Sequence, residues 1–105
     1  MKLKQTLSFD DVLLVPKKSD ISSRKEITLE SQLGPKTLTL PVISSPMDPV
    51  TAVCMASTML ASGGLGILHR YNTIEQQVSL VQELRDCLEE KSADISFIAA
   101  AVSAG

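Results

Sequence analysis

Hydrophobic positions change their period along this chain, and each change marks an element. Val42-Ile43-Ser44 and Leu65-Gly-Ile-Leu-His69 are short apolar runs without polar alternation, as expected of strands buried in a parallel sheet. Each breaks abruptly into small, polar or kinked residues, and helical spacing follows. Ala52 to Ala61 reads as a helix with Val53, Ala56, Met59 and Leu60 on one face, and Gly63-Gly64 ends it. Thr73 opens a second helix, Ile74 to Glu90, because Thr73 and Gln76 have capping-box spacing. Its stripe is Ile74, Val78, Val81, Leu84 and Leu88, with Gln76, Gln77, Glu83, Arg85 and Glu89 toward water. Ser92-Ala93-Asp94 is a turn, Ile95 to Val102 a third buried strand, and Ser103-Ala-Gly105 the start of another small-residue loop.

The first forty residues read differently. Thr6 to Pro16 is a short apolar segment closed by proline, with Asp10 and Asp11 placed to form a turn or cap. Residues 17–26 are polar loop. Glu26 to Leu33 alternates imperfectly and predicts a strand, Gly34-Pro35 a turn, and Thr37 to Pro41 a second strand, together a hairpin. The expected order is a hairpin-like extension followed by β-α-β-α-β. Right-handed crossovers then bring three strand ends to one rim, where an α/β protein carries its chemistry.

Composition narrows the classes. At 105 residues this is at most one small domain. Aromatics make up only 3% of the chain, so a core rests on aliphatic side chains. A net charge of −2 argues against an electrostatic nucleic-acid surface, and the lysines and arginines of the first quarter read as solvated. No apolar run is long enough for a membrane span. The start Met-Lys-Leu-Lys-Gln lacks a signal-peptide core, so a cytoplasmic protein is expected. Cys54 and Cys87 fall in helical patterns and are expected as buried thiols without a disulfide. With a single histidine and no ligand spacing, no metal site is expected.

Candidate chemistry gathers at the strand ends. Ser44-Ser45-Pro46-Met47-Asp48 combines small side chains with backbone amides that an anionic or planar ligand can approach. The polarizable thioether of Met47 suits an aromatic ring, and it equally suits the core behind a proline-framed turn. Asp48 or Thr51 is placed to cap the following helix. At the second strand end, the Arg70 fork suits a phosphate or carboxylate, and His69 suits proton exchange or a hydrogen-bonded rim position. Gly63, Gly64 and Gly66 precede a strand, whereas a dinucleotide-binding glycine loop follows one. Cys54 has no base near it in sequence and is not read as a nucleophile.

Leu7-Ser-Phe-Asp-Asp-Val-Leu-Leu-Val-Pro16, Leu40-Pro-Val-Ile-Ser-Ser-Pro-Met-Asp48, Met55-Ala56, Gly63-Gly-Leu-Gly-Ile-Leu-His69 and Ile74-Glu-Gln-Gln77, in this order and spacing, resemble the inosine monophosphate dehydrogenase and guanosine monophosphate reductase family. The resemblance covers nearly the whole chain. It implies a (β/α)8 barrel with its active site at the C-terminal strand ends. Residues 1–105 are then the N-terminal portion of that barrel: its first three β/α units, preceded by the hairpin-like extension. Ile74–Lys91 leads straight to the strand at Ile95, so no regulatory cystathionine-β-synthase-type module is expected between them.

The resemblance also implies a purine nucleoside monophosphate substrate, a nicotinamide cofactor and a homotetramer. A dehydrogenase oxidises IMP to XMP with NAD, through a cysteine whose loop is ordered by a monovalent cation, usually potassium. A reductase converts GMP to IMP with NADPH. By position, Ser45 and Met47 match nucleotide-site residues and Asp48 belongs to the same motif, with His69 and Arg70 beside it. Arg70 stands where reductases carry a lysine tied to catalysis, and an arginine does not readily give up its proton. The family's catalytic-cysteine loop has no counterpart in this sequence. No catalytic residue is therefore assigned here. The chain alone is expected to be inactive, acting with the remainder of the barrel or as a non-catalytic piece that associates with a complementary chain.

Overall fold

The computed structural model describes residues 2–93 and 95–103. Asp94, the last residue of the expected turn, and Ala104-Gly105 of the expected final loop lie outside the described residues.

Two sheets form. In the first, β1 (Ser31–Leu33) pairs antiparallel with β2 (Lys36–Leu38) across Gly34-Pro35. In the second, β3 (Ile43–Ser44), β4 (Leu65–Leu68) and β5 (Ala99–Ala100) are parallel in the order β3-β4-β5. Helix α1 (Val53–Ala61) joins β3 to β4, and α2 (Ile74–Glu90) leads from β4 toward β5.

Both helices bury one side against this parallel sheet. Val53 and Ala56 of α1, Leu68 of β4, and Leu84 and Leu88 of α2 form the core, with Leu60, Val81 and Ile98 packed around it. The contact is close because β4 carries a glycine where α1 crosses it. A Cβ on Gly66 would sit 2.5 Å from the Ala56 Cα. At the end of α1, Gly63 takes φ +86°, a conformation that side-chain-bearing residues rarely adopt, and turns the chain into β4. The Thr73–Gln76 box opens α2. The Gln76 N–H donates to the Thr73 hydroxyl at 3.2 Å, and the Thr73 N–H donates to the Gln76 side-chain oxygen at 2.9 Å.

Several sequence expectations are corrected. The strand expected from Glu26 begins only at Ser31, because Arg24–Glu26 forms a 3-10 turn. That turn is held by the Ser23 hydroxyl and carbonyl, which accept the Lys25 and Glu26 N–H groups. The next strand stops at Leu38, since the Leu40 N–H turns away to the Gly63 carbonyl. The third strand is two residues, Ala99–Ala100, and not Ile95–Val102. Its partner β4 ends at Leu68, which stops the ladder after Leu68↔Ala100, and on the other side pairing begins only at Ile67↔Ala99. Val42 and Ile43 are exposed and not buried, because among the described residues β3 pairs only with β4. Cys54 is an exposed thiol and Cys87 a half-buried one.

Candidate functional site

The segment after β3 is fastened to itself. The Ser45 carbonyl accepts the Met47 N–H at 2.8 Å and the Thr51 hydroxyl at 2.6 Å. The Met47 carbonyl accepts the N–H groups of Val50 and Thr51, each at 2.9 Å. Thr51 is fully buried, and its hydroxyl also lies 2.9 Å from the Ser44 hydroxyl. Such closure spares the backbone polar groups from competing with a ligand and fixes the loop's shape. Thr51 is thus a clamp on the Ser45–Met47 bend and not the helix cap; Ala52 occupies that position without a side-chain hydrogen bond. Asp48 does not cap the helix either.

Ser45 is exposed, and Met47 is 51% exposed, outside the core formed by α1, β4 and α2. Asp48 turns toward the end of β4, where its Oδ1 lies 3.4 Å from His69 Nε2. His69 is buried. Its ring is therefore a covered part of the rim, with Nε2 on the side of the Asp48 carboxylate and Nδ1 on the side of Asn72. Beyond it, Asn72 Nδ2 donates to Gln77 Oε1 at 2.7 Å and to the His69 carbonyl at 3.2 Å, and stands 3.5 Å from His69 Nδ1. Gln77 Nε2 donates to the Ala101 carbonyl at 3.0 Å.

The exposed Arg70 guanidinium lies over the Tyr71 ring, 5.6 Å from its centroid, which suits cation–π attraction. It lines a cavity of about 310 Å³ with Asn72, Thr73, Gln77, Ala101 and Ser103 among others, where β4 and β5 end. A separate cavity of about 370 Å³ lies between the loop after β3 and α1, bounded by Asp48, Pro49, Cys54, Met55 and Thr58. The structure brings Asp48 and His69 together and places Arg70 in the neighbouring cavity. Ser45 and Met47 line neither cavity.

Three residues of this network escape a strand-and-stripe reading: Thr51, Asn72 and Gln77. The helical stripe places Gln77 toward water and Ile74 and Val78 on the buried side. The structure reverses this. Ile74 and Val78 are 80% and 64% exposed, while Gln77 is half-buried. The signal was present, because residues 77, 81, 84 and 88 also follow helical spacing and end on the two fully buried leucines.

Parallel strands joined by helices, with small, polar and basic residues at their C-terminal ends, define an α/β architecture. The model of the IMP dehydrogenase / GMP reductase domain matches residues 6–105, and the chain belongs to that family. It is 45% identical over 86 residues to an inosine-5'-monophosphate dehydrogenase of Nitrosopumilus maritimus, covering 81% of this chain and 18% of that protein. Over 83 residues it is 46% identical to the Staphylococcus aureus dehydrogenase, covering 78% of this chain and 17% of the relative.

Solved structures agree in fold. The inosine 5' monophosphate dehydrogenase of Legionella pneumophila matches with TM-score 0.66 and 43% identity, over 75% of this chain and 25% of that one. The GMP reductase of Trypanosoma brucei, crystallised with guanosine 5'-triphosphate, matches with TM-score 0.69 and 39% identity, over 75% of this chain and 19% of that one. The chain therefore spans between 17% and 25% of the length of the dehydrogenases it matches.

Proposed function

We propose that this chain is the N-terminal portion of an NAD-dependent IMP dehydrogenase, with β3, β4 and β5 as the first staves of an eight-stranded barrel. The supporting observation is the self-fastened loop after β3, which presents Ser45 and Met47 outward while Asp48 ties it to His69 at the next strand end. In this reading Ser45 offers a hydroxyl to the purine nucleoside monophosphate and Met47 packs against its base. Arg70 adds positive charge at the adjoining cavity.

The chemistry belongs to parts of the enzyme other than these residues. A cysteine there would attack the purine C2, NAD when bound would supply the hydride acceptor, and water would release XMP. Neither Cys54 nor Cys87 is assigned to that step. The dinucleotide and a monovalent cation such as potassium are assigned to those other parts as well, and the assembled enzyme is a cytoplasmic homotetramer. The 105-residue chain alone has no turnover.

Reductase structures match the fold as well as a dehydrogenase does, so GMP reduction with NADPH is the competing activity. Arg70 favours oxidation, since a guanidinium does not supply the proton chemistry of the lysine expected there in a reductase. The test is direct. The whole protein carrying this chain is supplied with IMP and NAD, or with GMP and NADPH. NADH and XMP formation is expected; ammonia release with NADPH consumption establishes the reductase; inactivity toward both pairs overturns the reading. Intact mass of the purified assembly shows which chain carries the cysteine loop.

A further inference from the structure

The ladder of the parallel sheet stops short of the site. β3 and β4 share the pairs Ile43↔Leu65 and Ser44↔Gly66, and β4 and β5 share Ile67↔Ala99 and Leu68↔Ala100. One more backbone bond, Ala101 N–H to the Leu68 carbonyl at 2.9 Å, closes it. Beyond that point, side chains carry the connection. From the loop after β3 to the end of β5 the path runs from Asp48 to the His69 ring at 3.4 Å, then from the His69 backbone carbonyl to Asn72 at 3.2 Å, to Gln77 at 2.7 Å and to the Ala101 carbonyl at 3.0 Å.

The path is chemically directional. The Asn72 amide has two hydrogens, and the shortest contacts assign them to Gln77 Oε1 and the His69 carbonyl. Gln77 must then present its oxygen to Asn72 and its nitrogen to the Ala101 carbonyl, as observed. Each amide is oriented by the group before it and the group after it. Networks of this kind couple their members more strongly than separate contacts do.

We infer that Asn72 and Gln77 are positioning residues for the nucleotide site: together they form a strut that sets the spacing of the β4 and β5 ends and, through His69 and Asp48, steadies the loop bearing Ser45 and Met47. Neither residue acts on the nucleotide itself. The inference rests on the proposed IMP-binding role of that loop. Substrate placement depends on such supports, because displacements of an ångström at a site are costly.

The test uses the whole enzyme carrying this chain. Asn72→Ala and Gln77→Ala should each raise the KM for IMP about tenfold, the cost of one lost network bond, with kcat within about threefold of wild type. Because both act through one strut, the Asn72→Ala/Gln77→Ala double variant should be no worse than the poorer single variant. Gln77→Glu keeps the side-chain length and the acceptor for Asn72, but sets a carboxylate oxygen against the Ala101 carbonyl. It should give the same KM rise and serves if an alanine variant fails to fold. Hydrogen exchange over residues 98–103 should quicken in every variant. Unchanged KM in the variants, KM effects that multiply in the double variant, or unchanged exchange overturns the strut. A wild-type enzyme that neither binds nor turns over IMP overturns the proposed function instead.

Discussion

Residues 2–30 and the unit from β3 to α2 are both rich in aliphatic side chains, yet only the second makes a core from them. Leu13 and Leu14 are 96% and 98% exposed, and Phe9 is equally bare, whereas Leu68, Leu84 and Leu88 are completely covered. The chain's radius of gyration, 18.0 Å, reflects this, since a compact domain of about 100 residues has about 13 Å. Apolar content does not by itself make a core. In the β-α-β-α unit each apolar stripe meets a partner within about thirty residues along the chain, and the loops are short enough to bring them together. The N-terminal segment has local 3-10 turns at Phe9–Asp11 and Arg24–Glu26 but no element of its own to pack against.

The sharpest way to break this contrast is a pair of truncations in the 105-residue chain. Leu84→Ala removes a fully buried side chain between the two helices and should cost about 2–5 kcal/mol. Leu14→Ala removes an exposed one and should stay within about 0.5 kcal/mol. Urea unfolding followed by circular dichroism reads both. Equal losses would mean that the N-terminal segment is packed in solution, and the contrast drawn here would fail.

A smaller effect is expected at the helix–sheet seam. Gly66→Ala places a methyl 2.5 Å from the Ala56 Cα, and that neighbour is backbone, so it cannot swing aside. α1 must back away from β4, at a cost of about 1–3 kcal/mol. The companion Ala56→Gly should not rescue the double variant, because it relieves only the 3.0 Å methyl contact, keeps the Cα at 2.5 Å, and adds the cost of a glycine inside a helix, about 1 kcal/mol. A double variant more stable than Gly66→Ala alone would show that the strain lies in the Ala56 methyl and not in the backbone.

The same contrast explains what could be read from the sequence. The α/β class, both helices and the β4 position were legible because their patterns are local: Thr73 with Gln76, Gly63-Gly64, and the spacing of Leu84 and Leu88. The strands at Val42 and Ile95 were legible as apolar runs but not in extent. Strand length is set by which backbone pairs form with the neighbour, and β5 forms only two with β4. The site was legible as a set of residues and not as a network. Asp48 and His69 stand 21 positions apart in sequence, and nothing local to either predicts their 3.4 Å approach. Gln77 reads as solvent-facing because a polar side chain on a helix is usually solvated, and only its register with the buried leucines argues otherwise.

The smallest expected effect sharpens the ordered side of the comparison. Thr73 accepts the Gln76 N–H, and both its hydroxyl and the Glu75 backbone N–H hold the Glu75 carboxyl below its ordinary value, the backbone contributing more. A carboxylate with a depressed folded-state pKa contributes stability that is fully present above the ordinary glutamate range. That contribution fades as pH falls through the folded-state value. Thr73→Ala removes the cap at a cost of about 1 kcal/mol. It also removes the smaller of the two influences on Glu75, so the Glu75 titration should move upward without reaching the ordinary value. An NMR titration of the Glu75 carboxyl in wild type and Thr73→Ala reads this directly. An unmoved titration with the full loss of stability would separate the cap from the carboxylate, leaving the α2 start held by the Thr73–Gln76 exchange alone.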